Sequence, residues 1–125
     1  MIKIEGNKAA LYQWDLNQRL VIKDIKYDAN FEVHFSHVND KDGLVVLTYI
    51  ENGLMYCNVP NILLQRKGII YAYLYVIEEN KTHTKHDIEI LVIPREKPLD
   101  YVYTETEVLS YKTLEQRMDF LEDKV

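Results

Sequence analysis

The sequence predicts an all-β protein, an antiparallel β-sandwich of about eight strands followed by a C-terminal α-helix. Three observations carry the prediction. The stretch Gly68–Pro94, GIIYAYLYVIEENKTHTKHDIEILVIP, alternates with period two: Ile70, Ala72, Leu74 and Val76 face one way, and Tyr71, Tyr73 and Tyr75 the other. Short apolar runs interrupted by turn residues recur along the first ninety or so residues, at the roughly 8–12-residue spacing of sandwich strands. Past Val108 the period changes, because Tyr111, Leu114, Met118, Leu121 and Val125 are spaced three, four, three, four.

The central stretch reads as a long β-hairpin. Its second arm sets Ile88, Ile90 and Val92 against Asp87, Glu89, Leu91 and Ile93, and the polar run Glu78–His86 reads as a wet tip. A two-stranded hairpin is marginal in water, so the rest of the chain is expected to supply its partners.

Taken in order, Ile2–Glu5 is a candidate edge strand. Ala9–Asp15 and Arg19–Lys23 form two stronger strands, joined as a hairpin around Asp15–Gln18, whose Asp and Asn suit a tight turn. Trp14, the single tryptophan, is expected to be a core anchor, because large aromatics dominate burial. Phe31–Val38 alternates Phe31, Val33 and Phe35 with Glu32, His34 and Ser36, one face buried and one wet. Asn39–Gly43 is a turn; aligned with a calcium loop, it places Val38 and Tyr49 at ligand positions, where neither can serve.

Leu44–Ile50 is a strand, and Glu51-Asn52-Gly53 turns it into Leu54–Val59 through an Asn-Gly hairpin signal. Pro60 interrupts the pairing, since proline lacks the ladder donor. Asn61–Gln65 fits either one helical turn or an irregular crossover. Pro94–Pro98 forms a stiff, exposed connector. The expected organisation is therefore a sandwich over 1–94, an extended proline-containing linker over 95–109, and a helix over 110–125 with a heptad seam. Thr113 and Gln116 can form its capping box, with Ser110 another cap. Such a short helix is marginal alone, so it either packs on its own domain or joins copies through Tyr111, Leu114, Met118, Leu121 and Val125.

The function classes narrow by exclusion. The chain has 125 residues, one domain's worth, and a formal net charge of −5, which argues against nucleic acid as a partner. MIKIEGNK opens the chain without a long apolar run, so no signal peptide is expected, and no segment approaches a membrane helix. Cys57 is the single cysteine and reads as a small buried residue. There is no glycine-rich phosphate loop and no nucleophile-elbow serine. His34 and His37 fall on opposite faces of one strand, and His83 and His86 sit at the polar tip without the further ligands zinc takes. A non-enzymatic protein with no cofactor and no metal is expected.

The tyrosine row admits two readings. Tyr71, Tyr73 and Tyr75 can line a carbohydrate or peptide site, or form an inter-sheet or subunit-contact face. The second is favoured; exposed to solvent, the row would be an apolar patch calling for a partner.

Three longer segments carry a family resemblance: ALYQWDLNQRLVI (Ala10–Ile22), VPNILLQRKGIIYAYLYV (Val59–Val76) and VIPREKPLDYVYTETEVLSYKTLEQRM (Val92–Met118). Together they make the chain similar to the N-terminal domain of baseplate and tail-fibre proteins of phages and prophages of Gram-positive bacteria, the baseplate upper protein family. The resemblance implies a β-sandwich that docks on the tail baseplate while a following helix and further modules project toward the host, often as a trimer. The expected partners are copies of the chain and other baseplate or tail proteins. The expected place is the virion tail, after synthesis in the bacterial cytoplasm. Members of that family usually continue into long receptor-facing regions, so the role expected of this chain is attachment or assembly. The alternative is a non-catalytic carbohydrate-binding module.

Overall fold

The computed structural model describes residues 1–27, 29–40, 43–78 and 81–102. The expected helix, with Tyr111, Leu114, Met118, Leu121 and Val125, lies outside the described residues. Among the described residues nine strands form two sheets. They are β1 (Ile2–Ile4), β2 (Ala10–Tyr12), β3 (Arg19–Ile22), β4 (Asn30–His37), β5 (Leu44–Leu47), β6 (Tyr49–Glu51), β7 (Leu54–Asn58), β8 (Gly68–Glu78) and β9 (Lys81–Ile93). A four-stranded sheet has the order β1-β3-β7-β6, and a five-stranded sheet the order β2-β9-β8-β4-β5. The protein is all-β, as expected.

The core lies between the sheets. From the four-stranded sheet come Ile2, Ile4, Leu20, Ile22, Met55 and Cys57; Phe31, Val33, Phe35, Ile70, Leu74 and Ile90 answer from the other. The alternation in β8 behaves as its sequence dictates, with Ile70, Ala72, Leu74 and Val76 fully buried. The Ile, Leu and Val side chains among them each contribute on the order of 2 kcal/mol on leaving water, the main term opposing chain entropy.

Several expectations are corrected. β2 and β3 do not form a hairpin around Asp15–Gln18: β2 lies in the five-stranded sheet and β3 in the four-stranded one. The turn residues are real, with Asn17 at φ 57°, but the turn carries the chain from one sheet to the other. The sandwich is not wholly antiparallel either, because β2 pairs in parallel with β9, Leu11 opposite Val92.

Leu44–Ile50 is not one strand. It breaks at Thr48, β5 pairing with β4 and β6 with β7 in the opposite sheet. Thr48 Oγ1 donates to the Phe31 carbonyl at 3.0 Å, which fixes the crossing point. The following hairpin holds, with Asn52 at φ 51° and Gly53 at φ 81°, both left-handed as a tight two-residue turn requires. Asn61–Gln65 resolves as a 3₁₀ helix bridging β7 to β8 across the sheets.

The polar run after Glu78 is mostly strand, because β9 begins at Lys81, opposite Glu78. The register slips between Leu74 and Tyr75, a bulge that inserts Lys85 between the partners of those two residues. Lysines and a bulge on a strand with a long free edge are devices that discourage edge-to-edge pairing.

β4 is buried on both faces, against the expectation of one wet face. Glu32 is 1% and His34 6% exposed. Across the sheet His34 lies opposite Tyr73 and Val45, and Glu32 opposite Tyr75 and Leu47. His34 Nε2 hydrogen-bonds Glu32 Oε1 at 2.8 Å, and its ring lies 4.3 Å from that of Tyr75. Burial without a partner is costly for either group, so the pair satisfies both.

The outer face of the four-stranded sheet centres on Arg19. Its Nε donates to both Glu5 carboxylate oxygens at 2.8 Å. One terminal nitrogen reaches Glu51 at 3.0 Å and the Tyr49 hydroxyl at 3.2 Å, and the guanidinium lies 3.9 Å over the Tyr56 ring. The Arg19 hydrogen bond holds the Glu5 carboxyl below its usual range, and the same bond raises the guanidinium above its own.

Candidate functional site

The most elaborate polar arrangement sits at the end of β2, where three separate stretches of chain meet. Asp15 closes the turn by accepting from the Tyr12 amide at 3.0 Å. This sets Trp14 at φ 73°, a left-handed conformation seldom held by a bulky residue and one the surroundings must maintain. They do so through the Trp14 amide, which donates to the Leu64 carbonyl at 2.7 Å, and the Gln13 amide, which donates to Ile93 at 2.8 Å. The Gln13 side chain spans the junction, its Nε2 donating to the Gln65 carbonyl at 2.8 Å and its Oε1 accepting from the Arg95 amide at 3.4 Å.

The segment after β9 folds back over this corner. Trp14 Nε1 donates to the Arg95 carbonyl at 3.2 Å. The Tyr101 ring stands edge-on to Trp14, centroids 5.4 Å apart at 74°, a favourable aromatic geometry. Gln65 Nε2 donates to the Tyr101 hydroxyl at 3.4 Å. Lys97 Nζ lies 5.3 Å from the Trp14 ring centre and 5.8 Å from that of Tyr101, within cation–π reach of both. Nearby, buried Asn61 accepts from the Asn17 amide at 2.9 Å. The stiff connector at Pro94–Pro98 is thus held as a strap across the sandwich through Arg95 and Lys97. Trp14 is half-buried at a corner, where its indole N–H finds a carbonyl, rather than a core anchor.

No family model, curated protein or solved structure matches the chain.

The three stretches that meet here are the tryptophan-acid turn, V-P-N-x-L-L-Q, and P-R-x-K-P-x-D-Y. Sequence reasoning singled out Trp14 but missed Gln13 and Gln65. Their only signal is position, a polar amide at each end of an apolar run, which says nothing about a distant partner.

Tyr71, Tyr73 and Tyr75 lie on the outer face of the five-stranded sheet, so they are not an inter-sheet face. They are not equivalent. Tyr71 and Tyr73 are half-buried and stack with centroids 6.5 Å apart, whereas Tyr75 is 8% exposed and its hydroxyl hydrogen-bonds Thr82 at 2.6 Å. Leu91 and Tyr12, about half exposed, continue the apolar surface toward β2.

The four histidines do not gather at one site. His34 and His37 occupy opposite faces of β4, as alternation dictates. The bulge in β9 puts His83 and His86 on one face, opposite Val76 and Leu74. His86 Nδ1 accepts the Ile2 amide at 3.3 Å. Among the described residues no three His, Cys, Asp or Glu side chains gather so as to hold a metal ion. Burial drives the Cys57 thiol well above its ordinary range, the opposite of what a nucleophile needs. A depression of ≈ 370 Å³ beside β1 is walled by Lys3, Lys8, Ile88 and Glu89, and holds no pair poised to exchange a proton. No described helix is long and apolar enough to cross a membrane.

Proposed function

We propose that this chain is a structural component of a phage or prophage-derived tail baseplate or tail fibre, an attachment and assembly adaptor for the host-recognition apparatus. The observation that carries the reading is the corner at Trp14. The three stretches that resemble baseplate proteins are remote in sequence, yet they are bonded to one another there, where the chain leaves the sandwich. An adaptor needs its exit held at a defined angle, and a strap pinned by an indole, two glutamines and a tyrosine does that. Residues 110–125 would then join copies through their heptad seam, a trimer being favoured, while the sandwich docks on other tail proteins. Labelling the protein on purified particles tests the proposal. Signal on the tails is the expected result; label absent from tails, with the protein free in the cell, overturns it.

The carbohydrate-binding alternative draws support from the stacked Tyr71 and Tyr73 rings. Burial of Tyr75 shortens that platform to two rings and weakens the reading. Glycan-array binding lost in a Tyr71→Ala/Tyr73→Ala variant would favour it.

A further inference from the structure

Beyond that role, and independently of it, we propose that the groove between the free edges of β1 and β9 takes up one extended strand from a partner protein, a peptide that alternates β-branched residues with acidic ones. On the β1 side, the Lys23 amide donates to the Met1 carbonyl at 2.8 Å and the Glu5 amide to the Arg19 carbonyl at 2.9 Å. Residues of a paired strand alternate in the side to which they turn their backbone polar groups. Met1, Lys3 and Glu5 therefore face β3, and Ile2 and Ile4 turn their N–H and C=O groups away from it. On the β9 side, the Ile93 carbonyl accepts from the Gln13 amide at 2.8 Å, toward β2. Alternation gives Leu91, Glu89 and Asp87 the same side. β2 covers that side only from Leu91 to Ile93, so among the described residues no strand lies beside Asp87 and Glu89.

The two edges border one groove of about 370 Å³, lined by Ile2, Ile4, Ile88 and Glu89 among others. Packed sheets lie about 10 Å apart and neighbouring strands about 4.8 Å apart, so one strand set between the edges of two sheets can bond to both. The chain itself vacates this lane, because the turn at Gly6 and Asn7, with φ 83° and 56°, comes before β2 begins. At one end His86 Nδ1 stands where a strand carbonyl would, accepting the Ile2 amide at 3.3 Å. An added strand supplies such partners along the rest of the edge, the main-chain recognition of β-augmentation.

The walls state what that strand must carry. Its inward side chains lie over Ile2, Ile4 and Ile88, which suits β-branched residues. At the rim stand Lys3 and Lys8 against the single carboxylate of Glu89. Lys8 Nζ donates to the neutral Gln18 amide oxygen at 2.8 Å, and Glu5 is already held by Arg19. The positive balance favours acidic side chains facing outward. A second copy of the β9 edge would bring Lys81 and Lys85 against their like, so the occupant is a different, acidic strand.

NMR on the full ¹⁵N-labelled chain, with a capped pentapeptide of sequence TEVEV added, tests this. Intermolecular NOEs should run from the peptide backbone to both the Ile4 and the Glu89 amides. Exchange of those two amides, rapid in the free protein, should slow about tenfold at about ten times the peptide Kd. Replacing both peptide glutamates by lysine, or introducing Lys3→Gln/Lys8→Gln on the exposed rim, should weaken binding about fivefold, the scale of two exposed ion pairs. Unchanged exchange at about 5 mM peptide, beyond the range of weak specific contacts, overturns the proposal. NOEs to only one of the two edges, or equal binding of the lysine peptide, overturn it as well. Protection of Ile4 and Glu89 that grows with protein concentration in the absence of peptide would give the groove to a second copy, and that too would overturn it.

Discussion

The Trp14 indole donates its Nε1 hydrogen to the Arg95 carbonyl at 3.2 Å, tying the turn that follows β2 to the segment that leaves β9. Tyr101 closes the same contact edge-on. Because Trp14 is the single tryptophan, its emission reports on the strap alone.

Tyr101→Ala should therefore red-shift tryptophan emission and increase quenching by acrylamide, while far-ultraviolet circular dichroism stays that of the sandwich. The expected destabilisation is about 1 kcal/mol, the scale of an aromatic pair with one hydrogen bond. Unchanged emission would mean that the strap is held without the aromatic contact.

Cys57 is fully buried, with its thiol driven upward by desolvation. A thiol reagent should label it only at the rate of global unfolding, with labelling accelerating in urea in step with loss of structure. Rapid labelling of the native protein would contradict the packing of β3 against β7.

The Glu5–Arg19 pair gives a pH dependence of known sign. Arg19 lowers the folded-state pKa of Glu5, so its stabilisation is fully present above the unfolded carboxyl value, about 4.3, and is lost as pH falls through the lower folded value. The Glu5 side chain is 41% exposed, so solvent screens the effect and the stability difference from Glu5→Gln should be small, well under 1 kcal/mol. Urea unfolding of both proteins at neutral and acid pH should show that difference shrinking with acidification.

Gly53→Ala isolates a backbone effect. A Cβ at Gly53 meets nothing within 4 Å, yet φ is 81°. The expected cost is about 1–2 kcal/mol, arising from conformation alone, and it should appear as a lower urea midpoint with an unchanged slope.

For the proposed assembly, Leu114→Asp/Leu121→Asp should lower the mass measured by light scattering, as should a chain ending at Leu109. Equal monomers for intact and shortened chains would remove residues 110–125 from the assembly and favour the binding-module reading.

What was legible in the sequence follows from the range of each signal. The β8 alternation is a property of one strand with a dry and a wet side, and the Asn52-Gly53 turn is a local φ requirement, so both were readable. The sheet change at Thr48 was not, since a strand leaving one sheet for another keeps the same alternation. The β2–β3 hairpin failed because Asp15 and Asn17 announce a turn but not its destination. The Lys81–Asp87 portion of β9 carries the polar composition of an edge strand and therefore resembled a loop. Burial of Glu32 and His34 depends on which residues lie across the sheet, here Tyr75 and Tyr73, and β4 alone does not name them. At the candidate site Trp14 drew notice for its size, while its partners came from the far end of the chain.

The parallel pairing of Leu11 with Val92 sets an order of events during synthesis. β1 and β3 emerge from the ribosome early, but β3 has no second neighbour until β7 is made. β2 must wait longer still, for the last described strand. β2 is thus made before every other strand of its sheet and secured last, and until Ile93 clears the exit tunnel its buried Leu11 depends on delay, or on a chaperone, to stay out of wrong partnerships.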